Sequence, residues 1–126
     1  MLAALADADL GADDVDYVNA HGTSTRLNDA MESAAIAEIF GEDVAVSSTK
    51  GVTGHPFGAA GALEAAYGAL ALRDGIVPPT ANLTDPDPGL TVDLVRGAAR
   101  RARLGAVLSN SFGFGGHNAS LIITPE

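Results

Sequence analysis

The sequence predicts a layered α/β fold. Helical and strand-like stretches follow one another in the order αβαβα and then three strands, a pattern that builds sheet-and-helix layers. One of the helices is apolar nearly all round, which calls for burial on both sides. With 126 residues, 47% hydrophobic and 18% charged, the chain reads as one globular domain over 1–126, long enough to bury a core.

Met1 to about Asp9 reads as the end of a helix closed near Gly11. Val15 to Ala20 is a short strand rich in β-formers. Asp29 to Phe40 follows as an amphipathic helix, with Met31, Ala35, Ile36, Ile39 and Phe40 on one face and Gly41 at its end. Val44 to Ser47 is a second short strand. Pro56 to about Arg73 is the long, mostly apolar helix, with proline in its first turn and Asp74-Gly75 after its end. The stretch 78–89, holding Pro78, Pro79, Pro86 and Pro88, reads as an extended connection. Strands are expected over Val92–Arg96, Leu104–Asn110 and Ala119–Thr124, the last two flanking a glycine-rich turn. The chain opens on a helix rather than on the strand that would precede it, the start expected of a piece cut from a larger protein.

Composition excludes several classes. Seven basic against sixteen acidic residues give a net charge of −9, a surface that repels nucleic acid and anionic membranes. No run of about eighteen apolar residues is present to cross a membrane. The N-terminus lacks the basic region of a secretory signal, so the cytoplasm is the expected compartment. Without cysteine the chain has no disulfide, thiolate metal site or thiol nucleophile. Arg96, Arg100, Arg101 and Arg103 form the only basic cluster; it reads first as a solvated connection, and secondarily as a surface for an acidic partner.

Three segments carry chemistry, each just past a predicted strand or at a turn, where a scaffold fixes side chains and a loop exposes them. In Asn19-Ala20-His21-Gly22-Thr23-Ser24-Thr25, an imidazole and hydroxyls can meet one ligand. In Lys50-Gly51-Val52-Thr53-Gly54-His55-Pro56-Phe57-Gly58-Ala59-Ala60-Gly61, a helix start and a lysine both disfavour imidazolium at His55. A neutral histidine there can donate to a developing oxyanion. Gly54, Gly58 and Gly61 read as helix packing. In Asn110-Ser111-Phe112-Gly113-Phe114-Gly115-Gly116, aromatics alternating with glycine suit either a gate over an apolar channel or a tight turn with phenylalanine plugs.

Taken together and in this order, the three segments resemble the β-ketoacyl synthases of the thiolase-like superfamily, from about Val15 to Thr124. The last motif is more similar to discrete type II fatty-acid elongation enzymes than to modular polyketide synthases. The resemblance implies the C-terminal half of such an acyltransferase: a thiolase-like sheet with a buried central helix and outer helices. It implies that His21 and His55 are catalytic, hydrogen-bonding a malonyl thioester carbonyl during decarboxylative condensation, with Lys50 organising charge and Glu64 as its acidic partner. Thr23 and Thr25 would hold a phosphopantetheine arm; Phe112 and Phe114 would gate the acyl site. It implies no metal and no cofactor beyond the phosphopantetheine on acyl carrier protein, the expected partner, and a homodimer in the full-length enzyme. The family's nucleophilic cysteine lies in the N-terminal half, so the isolated chain is expected to be inactive. The Gly-His-Pro turn is also similar to thiolases, whose C-terminal cysteine base is missing here. Alternatives are a non-catalytic chain-length-factor-like partner, against which the presence of His21, Lys50 and His55 argues, and an inactive truncated fragment.

Overall fold

In the computed structural model, which describes residues 1–126, the centre of the molecule is β1, Tyr17–Asn19, three residues without solvent exposure. It lies between two parallel neighbours, β2 (Ala45–Ser47) and β6 (Val107–Phe112). β4 (Asp93–Leu94) extends the sheet beyond β2, and β7 (Asn118–Ile123) closes the other side antiparallel to β6, giving the order β4-β2-β1-β6-β7. Parallel strands buried on both faces read as β-branched and apolar rather than alternating, which is why the short runs were legible.

The strands send alternate residues to two cores. Val18, Val46 and Leu108 face Leu5 of α1 (Leu2–Ala8) and Ile36 of α2 (Arg26–Phe40). Tyr17, Ala45 and Val107 face Ala71 of α4 (Ala60–Asp74), with Val77 and Val95. Helices thus cover both faces of the sheet, as the sequence predicts.

Several boundaries differ from expectation. α1 ends at Asp9 in the left-handed conformation, before Gly11, which instead opens a 3-10 turn at Ala12–Asp14. α2 starts at Arg26, three residues earlier than predicted, because Thr25 takes the extended conformation of an N-cap. The segment after β2 coils into a one-turn helix, α3 (Lys50–Thr53), where the sequence shows no helical pattern. The long helix is broken at its start: Phe57–Ala59 is a 3-10 turn and the α-helix begins at Ala60. A two-stranded antiparallel ribbon, β3 (Ile76–Val77) against β5 (Arg100–Arg101), adds to the elements the sequence predicts. The arginines there are exposed; Arg100 pairs with Asp93, and Arg96 donates to the Thr84 carbonyl at 3.3 Å. No helix is long and apolar enough to cross a membrane.

α4 packs one face, through Ala60, Glu64, Gly68 and Ala71, against β6 and β7. Its opposite face is open: Leu63 and Leu70 are 40% and 42% exposed. The burial on both sides that its composition calls for is therefore half met within the chain.

Candidate active site

The site assembles at the carboxyl ends of three adjacent parallel strands, where open α/β sheets present ligands to their loops. His21 follows β1, Lys50 and His55 follow β2, and Phe112 ends β6. Because β1 sits between β2 and β6 with Asn19 opposite both Ser47 and Ser109, the loops after β1 and β2 leave the sheet at one level, while β6 runs three residues further and carries Phe112 up beside them.

The rings of His21 and His55 stand edge to face, with centroids 5.3 Å apart and planes at 84°. Phe112 lies 5.5 Å from His21, tilted by 48°. Phe114 is 92% exposed on the following 3-10 turn and is not among the rings packed on either histidine. Thr23 and Thr25, on the loop after His21, bring their hydroxyls to 3.3 Å of each other.

Behind the histidines the Lys50 ammonium is ion-paired with Glu64 Oε1, both side chains buried. A buried cation requires such a partner, and Asn19 Nδ2 donates to the Glu64 backbone carbonyl at 3.4 Å beside the pair. Tyr17 and Ser47 share a 2.9 Å hydroxyl contact, and burial raises the Tyr17 phenol above its ordinary range. Burial first, then the Lys50 ammonium and His55, push the His21 imidazole down to about 4. At neutral pH the ring is therefore uncharged and can donate one N–H.

One buried carboxylate escaped the sequence reading. Glu32 of α2 is 2% exposed and has no cationic partner. Its Oε1 accepts from the His21 backbone N–H at 2.8 Å and from Asn110 Nδ2 at 3.1 Å. Its Oε2 accepts from the Gly22 N–H at 2.9 Å and Asn28 Nδ2 at 3.2 Å. Four donors replace water around the charge and tie the His21 loop to α2 and β6. The signal was present: Glu32 shares its helix face with Ala35, Ile36 and Ile39, where a solvated carboxylate does not belong.

A cleft of about 340 Å³ opens beside these groups, lined by Thr23, Ser48, Lys50, His55 and the strap Thr80–Leu83. The strap comes from the proline-rich connection and is clamped to the site: Thr80 Oγ1 accepts from the Ser48 N–H at 3.0 Å, and Asn82 Nδ2 donates to the Gly51 carbonyl at 3.0 Å. Two glycines make the wall possible. Gly22 has φ +42°, and a Cβ there would stand 2.5 Å from Ser48 Cβ; a Cβ at Gly51 would press into the Ala81 carbonyl. Nowhere do three or more His, Asp or Glu side chains converge as a metal site would need.

A histidine pair beside a polar cleft that His55 lines, with a buried lysine–glutamate pair behind it, is built to stabilise negative charge on an oxygen. Residues 1–84 match the family described as "Beta-ketoacyl synthase, C-terminal domain". The chain belongs to the β-ketoacyl synthase family. It is 50% identical over 123 residues to 3-oxoacyl-[acyl-carrier-protein] synthase 2 of Coxiella burnetii, covering 95% of this chain and 30% of that protein. The crystal structure of a β-ketoacyl synthase from Burkholderia phymatum STM815 superposes with a TM-score of 0.97 at 46% identity, over 100% of this chain and 31% of that one. The ishigamide ketosynthase/chain length factor superposes with a TM-score of 0.93 at 39% identity, over 97% and 30%. The chain thus spans about 30% of the length of the β-ketoacyl synthases it matches.

Proposed function

We propose that this β-ketoacyl synthase domain supplies the malonyl-decarboxylating groups of a condensing enzyme acting on acyl-carrier-protein thioesters. In the complete reaction an acyl group first moves from the carrier's phosphopantetheine arm to a cysteine thiol, a group absent from this chain. The malonyl thioester carbonyl then accepts hydrogen bonds from His21 and His55. The bond to the malonyl carboxylate breaks, carbon dioxide leaves, and the electron pair passes into the carbonyl to give an enolate. The enolate carbon attacks the acyl thioester, the cysteine thiolate departs, and a β-ketoacyl-carrier protein results.

In this reading Lys50, held by Glu64, sets the charge around the histidine pair. Thr23 and Thr25 hold the phosphopantetheine arm, whose binding energy positions the reacting carbon. Phe112 and Phe114 gate the acyl side. The carrier protein is the partner, the reaction needs no metal, and the full-length enzyme works as a cytoplasmic homodimer. The observation that carries the reading is the histidine pair, 5.3 Å apart beside a polar cleft.

The test is carbon dioxide release from malonyl-carrier protein by the full-length protein. His21→Ala and His55→Ala should each lower decarboxylation by about 100–1000-fold while sparing acyl transfer to the cysteine. The double variant should lose less than the product of the two, because the donors act on one oxygen. The 126-residue chain alone should give no condensation product above a His21→Ala control. Normal decarboxylation in either single variant removes that residue from the mechanism.

A further inference from the structure

The turn that carries His55 holds a conflict between local preference and placement. Phe57 has φ +45°, in the left-handed region that bulky side chains avoid. Three other non-glycine residues of the chain share that sign, Asp9, Ser24 and Asn82, all small and polar. Phe57 has little burial to offset the strain, since it is 72% exposed. It does stack on the His55 ring, with centroids 4.9 Å apart and planes at 28°. Strained backbone persists where the surroundings impose it, and such sites cluster where geometry serves function.

From these observations we infer that Phe57 is a positioning residue, which holds the His55 imidazole in the one rotamer that stands edge-on to His21. Pro56 disfavours helical backbone at His55, and Phe57 then lies across one face of the ring while His21 meets it at 84°. Gly at position 57 would take the positive φ freely and give His55 no ring to lean on. The stack also takes one face of the imidazole out of water. This inference rests on the reading of His55 as an oxyanion donor, since it explains how that donor keeps its aim.

The chain has three histidines, so selective ¹³C/¹⁵N-histidine labelling gives three ring systems, with His21 and His55 assigned by substitution. The readout is the nuclear Overhauser effect between the His21 and His55 rings. It should fall about threefold in Phe57→Leu, as expected when His55 spreads over three staggered rotamers. Phe57→Tyr, which keeps the aromatic face, should retain it. Phe57→Gly should lose it while melting at or above the wild-type temperature, because the backbone strain is relieved. Wild-type intensity in Phe57→Leu would overturn the inference. So would a Phe57→Gly variant that melts several degrees lower, which would mark Phe57 as packing. Decarboxylation unaffected by His55→Ala in the full-length protein would instead remove the catalytic reading of His55 and leave its positioning by Phe57 standing.

Discussion

Glu32 gives the sharpest test of how the His21 loop is held. Truncation to alanine strips the acceptor from four donors at 2.8–3.2 Å. The Gly22 N–H and the Asn28 amide are partly exposed, so water can replace the carboxylate there; the His21 N–H and Asn110 amide are buried. A buried donor left unpaired costs about 1–3 kcal/mol, so Glu32→Ala should lose about 4 kcal/mol once the vacated volume is included. Glu32→Gln keeps the shape and one oxygen. If that oxygen serves the buried pair, the new amide opposes only the two wet donors, and the loss should be about 2 kcal/mol. Urea unfolding with an unchanged m-value measures both. A loss below about 1 kcal/mol for Glu32→Ala, or equal losses for the two variants, would refute the account of Glu32 as the anchor of the loop.

Three further outcomes follow from the geometry. His21 has its pKa lowered to about 4 when folded against 6.5 unfolded, so the unfolded chain binds more protons between those values. Stability should therefore fall as pH drops from about 6.5 toward 4, by about 1–2 kcal/mol at pH 5 after allowing for solvent screening. A His21→Ala variant with the same pH slope in thermal melts would contradict this. Gly51→Ala should cost about 1–3 kcal/mol, since its Cβ meets the Ala81 backbone rather than a movable side chain; a neutral result would show that the Thr80–Leu83 strap yields freely. The open face of α4, with Leu63 and Leu70 exposed, should make the chain self-associate at micromolar concentration in sedimentation, and Leu70→Glu should oppose this. A monomeric wild-type chain with a cooperative melt would show that α4 needs no second cover.

Much of the architecture was legible because the physics is local. Val15 to Ala20 and Val44 to Ser47 are short runs rich in valine and bounded by polar residues, as suits strands of a buried sheet, and Gly75 marks the end of α4 with its left-handed cap. The histidine loops were legible because they follow those strands. What escaped depends on contacts distant in sequence. The β3–β5 ribbon has two residues per strand and charged side chains, so no periodicity announces it. The break before α4 comes from the backbone of Phe57, whereas a proline in a first turn predicts an unbroken helix. Glu32 reads as one more solvated carboxylate until the neighbours on its helix face are counted. Phe112 and Phe114 are alike in sequence, yet one packs on His21 and the other stands in solvent, a difference set by where β6 ends.

The register of the central strands has a consequence for how such a site can change. Asn19, Ser47 and Ser109 lie side by side on neighbouring strands, about 4.8 Å apart as backbone hydrogen bonding dictates. The main chain therefore works as a ruler that side-chain substitutions cannot lengthen. Loops can be recut, and the layers above and below repacked, while the anchor points of the two histidines keep their interval. New substrates are then within reach by editing loops alone, whereas a one-residue slip of β2 against β1 would turn Ser47 to the opposite face and pull the His55 loop out of line in a single step.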